Sequence, residues 1–118
     1  MKFKWTLLTS FTLMSALSFR PIHAGTEPHR IEISAKRFEF SPSEITVKKG
    51  EPVELVIQSS DVTHGLQFPD LDLKVQINKG TPATLSFTPE KVGDFTGQCF
   101  IFCGTGHGQM ALTLHVVE

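Results

Sequence analysis

An all-β sandwich or Greek-key barrel is the fold this sequence predicts. Three observations carry it. Apolar residues alternate with polar ones at a period of two. Turn signals recur about every 8–12 residues. No window carries a helical apolar stripe of useful length.

Each element follows from those signals. "RIEIS" sets Ile31 and Ile33 on one face, and "RFEFS" does the same with Phe38 and Phe40. "EITV" ends at the turn Lys48-Lys49-Gly50. "PVELVIQS" opposes Val53, Leu55 and Ile57 to Glu54, Val56 and Gln58. "LDLKVQI" aligns Leu71, Leu73, Val75 and Ile77 before stopping at Asn78-Lys79-Gly80. "ATLSF" groups Ala83, Leu85 and Phe87, "PEKVGDF" supplies a turn, and "ALTLHVVE" is the last run. Clusters of Gly, Pro, Asn and Asp between alternating runs are the usual marks of strand ends. There is no internal repeat and no low-complexity segment.

The chain has 118 residues, 40% hydrophobic and 19% charged, with a formal net charge of -1. That is one globular domain at most. No Lys/Arg block exists, so nucleic-acid binding is not expected. Residues 1–24 read as a secretory signal peptide: Lys2 and Lys4 are the basic start, Thr6 to Ala16 the short apolar run. Cleavage is expected after Ala24, with a cut after Ser18 as the rival. A spanning helix needs about 20 apolar residues, and this run is shorter and interrupted by Ser and Thr. No membrane span is therefore expected in the mature chain, residues 25–118. Removal of Lys2, Lys4 and Arg20 leaves 8 basic against 12 acidic residues, a net of -4. Export implies an oxidising compartment, a bacterial periplasm, where paired cysteines are usually disulfides.

Both cysteines lie in "GQCFIFCGTGHGQM", on a loop between the last two strands. The order is Cys99, three residues, Cys103, three residues, His107, two residues, Met110. All four side chains bind soft metals, and thiolate, thioether and imidazole together favour copper. Met110 is the only methionine left after cleavage. Gly104, Gly106 and Gly108 allow a tight loop. "SSDVTHGLQFP" offers His64 just past a strand, where a sandwich brings distant strand ends to one pole. Asp61 is expected to start that turn, with orientation of the His64 loop as its other role. His115 falls on the solvated face of the last strand, His29 in a loose polar lead-in, and His23 in the signal. Phe95 is expected in the core. Phe100, Ile101 and Phe102 form either an apolar collar or part of the core pole, and Phe68 is expected to extend that patch. A structural disulfide between Cys99 and Cys103 is the plainer alternative. A thioredoxin-like thiol site is another, but no helix follows the cysteines.

From Arg30 to Glu118 the sequence resembles a cupredoxin. The resemblance rests on "FxFSPxEITVKKGEPVEL", "DVTHG" and the C-terminal Cys/His/Met loop. The two-cysteine loop is similar to that of the CuA domain of cytochrome c oxidase subunit II and of nitrous oxide reductase. That resemblance implies a dinuclear copper centre with Cys99 and Cys103 as bridging thiolates. It implies His64 and His107 as imidazole ligands, Met110 as a weak axial ligand and the Ile101 backbone carbonyl as the last. The family typically has Glu where this chain has Ile101. The family's surface tryptophan for electron arrival has no counterpart, since the only Trp is Trp5.

The expected function is periplasmic one-electron transfer without catalysis by this chain alone. The expected cofactor is two copper ions, and the expected state a monomer. Partners would be redox proteins such as a c-type cytochrome or a terminal reductase or oxidase. The alternatives are a mononuclear type 1 copper protein, or a copper chaperone or storage protein using the same ligands.

Overall fold

The computed structural model describes residue 2 and residues 27–118. The expected signal peptide and its cleavage points lie outside the described residues, Lys2 aside. Nine strands follow one another: β1 (His29–Lys36), β2 (Glu39–Ser41), β3 (Glu44–Lys48), β4 (Val53–Ser59), β5 (His64–Phe68), β6 (Leu73–Ile77), β7 (Ala83–Phe87), β8 (Gly93–Gln98) and β9 (Ala111–Val117). Single 3-10 turns occur at Pro69–Leu71 and His107–Gln109, and no α-helix is found among the described residues. No described helix is long and apolar enough to cross a membrane.

Two sheets stack face to face. One has the order β2-β1-β4-β7, the other β3-β9-β8-β5-β6. β1 runs parallel to β4 from His29 opposite Val53 to Ala35 opposite Ser59. β3 runs parallel to β9 from Glu44 opposite Thr113 to Lys48 opposite Val117. The remaining ladders are antiparallel. The alternation in the sequence is the alternation of faces: Ile33, Ala35, Leu55 and Ile57 line the inner face of one sheet, and Ile45, Val47, Leu66, Leu112, Leu114 and Val116 that of the other. Burying a side chain of this size stabilises by about 1.5–3 kcal/mol, so the inner faces hold the sheets together.

Several residues depart from the sequence expectation. Phe40 is buried, but Phe38 is 37% exposed, because β2 begins only at Glu39 and Phe38 sits in the β1–β2 turn. Leu71 lies in the 3-10 turn before β6 rather than in the strand, though it still packs on the core. His29 is not in a loose lead-in. It opens β1, its N–H donates to the Pro52 carbonyl at 2.8 Å, and its ring lies 3.4 Å from Glu51. Phe68 is fully buried under Gly97, so of the two alternatives for its patch it takes the core and not the collar. Phe95 packs against the core as expected.

The β8–β9 hairpin is the element that matters for chemistry. Its strands pair from Gly93 opposite Val116 to Gln98 opposite Ala111. The ladder is extended by one bond, Cys99 N–H to the Met110 carbonyl at 3.1 Å. The twelve-residue stretch from Cys99 to Met110 is therefore a loop closed at its neck by that bond.

Candidate metal centre

The loop aims its sulfur atoms inward. Cys99, Cys103 and Met110 are all buried, at 5%, 5% and 1% exposure. Both cysteines are free thiols. The Cys99 Sγ lies 3.9 Å from Cys103 Sγ and 3.2 Å from the Ile101 carbonyl oxygen. Cys103 Sγ is 3.9 Å from Met110 Sδ and 3.8 Å from His107 Nδ1. The 3-10 turn at His107–Gln109 brings the chain back: its N–H groups close onto the Gly104, Gly106 and His107 carbonyls.

The remaining donor comes from the facing loop. His64 is the first residue of β5 and is fully buried. One donor atom each from His64, Cys99 and Cys103 lie within 4.8 Å of one another. The loop before it is tied down locally. Ser59 Oγ donates to the Val62 carbonyl, and Asp61 Oδ1 accepts from the Val62 N–H at 2.7 Å. The same Asp61 oxygen is 2.7 Å from His64 Nε2. His64 Nδ1 is buried with no hydrogen-bond partner. A buried ring nitrogen normally has a partner, so an orphan beside two thiols fits a metal-ligating role for His64. The six donors expected from the sequence thus meet at one pole of the sandwich.

Electrostatics fit that reading. Burial opposes the charge on Asp61, but the Arg37 N–H, the His64 ring and the Val62 N–H outweigh it and hold the carboxyl well below its ordinary range. A charged Asp61 favours the His64 tautomer with its proton on Nε2, which leaves Nδ1 as the ring nitrogen with a free lone pair. Burial first, and then the neighbouring Cys99 thiol, push Cys103 up to about 11. Two thiolates this close repel each other, and a soft cation between them would remove the conflict.

The apolar surround is divided between two roles. Phe102 is 76% exposed and tilts against the His107 ring, with centroids 5.7 Å apart. Phe100 is half-buried, and its ring occupies the space where a Cβ on Gly65 would sit, 2.5 Å away. Lys74 Nζ lies 4.3 Å from the Phe100 ring centre. Phe100 therefore shields the backbone beside His64, whereas Phe102 faces outward. His115 is on the opposite strand face from the core and takes no part. It is not simply solvated, because its ring meets Asp94 at 2.6 Å and Glu44 at 3.5 Å.

Asp61 takes the second role the sequence offered, orienting the His64 loop through the Val62 N–H, and adds a contact to the His64 ring itself, for which its spacing three residues before His64 was the available signal. One contributor escaped the sequence. Arg37 donates through Nε to the Cys103 carbonyl at 2.8 Å across 66 positions of sequence, which no local pattern announces.

Comparison with known proteins agrees with the fold. The sequence profile of the Cupredoxin-like domain matches residues 6–111. The chain is similar to cytochrome c oxidase subunit 2 of Thermus thermophilus, 28% identical over 97 residues that cover 82% of this chain and 72% of the relative. It is similar to the same subunit of Vanderwaltozyma polyspora, 32% identical over 88 residues, covering 75% of this chain but only 35% of the relative. In structure it is similar to the periplasmic domain of subunit II of cytochrome oxidase of Bradyrhizobium japonicum. That match has a TM-score of 0.70 at 21% identity, over 76% of this chain and 84% of that one. With two packed sheets, the closed Cys/His/Met loop and this profile across most of its length, the chain belongs to the Cupredoxin-like domain family.

Proposed function

We propose that this chain is a copper-binding electron-transfer domain with a dinuclear, thiolate-bridged centre. Cys99 and Cys103 would hold the two ions through their thiolates, His64 Nδ1 and His107 Nδ1 would supply the imidazoles, and Met110 Sδ and the Ile101 carbonyl would complete the donor set. The observation that carries the reading is the orphaned, buried Nδ1 of His64 beside two free, buried thiols. Sulfur, thioether and imidazole donors in one dry pole suit copper better than harder cations. The likeness to oxidase subunit II supports the two-cysteine form over a one-cysteine form.

Bound copper supplies one-electron redox chemistry. The chain's residues supply the rest. Asp61 holds the Nε2 proton of His64 and so presents Nδ1 in one orientation. The Cys99–Met110 backbone bond closes the loop neck, so donor positions change little between redox states. The buried sulfurs and Phe100 keep water from the donors. Ile101, where the resemblance leads one to expect Glu, contributes through its carbonyl, which does not depend on the side chain.

We further propose that residues 1–24 direct export and that the mature domain, residues 25–118, works in the periplasm as a monomer. There it would exchange electrons with a c-type cytochrome or a terminal oxidase or reductase. Absorption spectra of copper-loaded Cys99→Ser and Cys103→Ser test the bridging roles. Each substitution is expected to abolish the native chromophore. An unchanged spectrum in either variant would remove that cysteine from the bridge and favour a mononuclear site.

A further inference from the structure

Arg37 meets the site from two directions. Its backbone N–H donates to Asp61 Oδ2 at 2.7 Å, and Asp61 Oδ1 holds His64 Nε2. Its side-chain Nε donates to the Cys103 carbonyl at 2.8 Å. A continuous chain of hydrogen bonds therefore runs from His64 through Asp61 and Arg37 to Cys103. It joins the two loops that carry the donors, which are otherwise separate in sequence. The next residue reinforces the contact. The Phe38 ring fills the places where a Cβ on Gly104 or Gly106 would sit, 2.8 and 2.4 Å away. Gly104 has φ +140, a conformation other residues rarely adopt, so the loop can pass under this ring only with glycine there.

The β1–β2 turn thus grips the loop, yet it adds little to the core: Arg37 is exposed and Phe38 is 37% exposed. Its contacts point at the site.

We propose that Arg37 is a positioning residue of the metal centre: it fixes Cys103 relative to His64, and its charge beside Cys103 raises the centre's reduction potential. The inference rests on the copper reading above. A fixed positive charge near thiolate ligands disfavours the more positive, oxidised state and so favours the reduced one. Backbone donation to Asp61 survives any side-chain substitution, so variants at Arg37 isolate the Cys103 contact.

Three variants separate charge from hydrogen bonding. Arg37→Lys keeps the charge, Arg37→Gln keeps a donor without charge, and Arg37→Met keeps neither. Redox titration of the copper-loaded proteins is expected to show a lower potential in Arg37→Gln and Arg37→Met, about tenfold in the reduced-to-oxidised ratio, or 59 mV for one electron. Arg37→Lys is expected to recover most of that shift. In addition, Arg37→Met alone is expected to speed amide exchange at His107 and Gln109, whose N–H groups close the loop onto Gly104 and Gly106. Unchanged potentials in all three loaded variants would overturn the charge role. If the unsubstituted chain loads no copper, the copper reading itself has failed. Amide exchange in the metal-free chains then decides the positioning role, and equal rates in Arg37→Met and the parent would reject it.

Discussion

Asp61 Oδ1 sits 2.7 Å from His64 Nε2, and the opposite nitrogen of that ring is buried without a partner. The pair defines which face of the imidazole is offered to the thiols. The Asp61 carboxyl is held well below its ordinary range, so it stays charged across neutral and mildly acidic pH.

Asp61→Asn keeps the size of the side chain and removes the charge. Loss of a carboxylate partner to a ligating histidine typically weakens metal binding by about 10–100-fold. Competition against a chelator of known affinity is expected to show a loss in that range, while the variant's circular dichroism stays that of the parent. Equal affinity in the two proteins would mean that Asp61 does nothing for His64 beyond the turn.

Two glycines under aromatic rings make opposite predictions. A Cβ on Gly97 would lie 2.7 Å from the Phe68 ring and 2.9 Å from Leu66, both fully buried with nowhere to move. Gly97→Ala is expected to destabilise the fold by about 1–3 kcal/mol, the usual range for overpacking. A Cβ on Gly106 would meet the Phe38 ring at 2.4 Å, but Phe38 is exposed enough to swing aside. Gly106→Ala is expected to leave urea stability nearly unchanged while loosening copper retention. Urea titration of both variants checks the contrast, which fails if Gly106→Ala proves the more destabilising.

His115 links stability to pH. Its hydrogen bond to Asp94, with help from Glu44, raises the ring above its ordinary pKa of 6.5. A raised folded value means the charged ring is favoured by folding. The contribution is therefore full below the unfolded pKa and fades as pH rises through the folded one. Urea midpoints across that window are expected to fall more in the parent than in His115→Gln. Parallel pH profiles would show that the exposed pair contributes nothing, a common outcome for surface ion pairs.

Much of this was readable from the chain. Alternation in "PVELVIQS" and "ALTLHVVE" placed β4 and β9 because the buried faces demand a period of two. Cys99, Cys103, His107 and Met110 were legible as a group because one short loop carries them. His64 was legible because it follows a strand end. Phe38 was misplaced because alternation continues on paper through the β1–β2 turn, where the ladder stops at Lys36 opposite Glu39. Arg37 was invisible for a different reason. Its partner Cys103 is set by how the two sheets stack, and no local spacing encodes that.

The central claim is a pair of coppers held by two thiolates. Copper loaded into the purified mature domain, counted per chain and examined by EPR, tests it most directly. Two ions per chain are expected, with a mixed-valence signal in which one unpaired electron is shared by two copper nuclei. One ion per chain with a simple four-line pattern would contradict it.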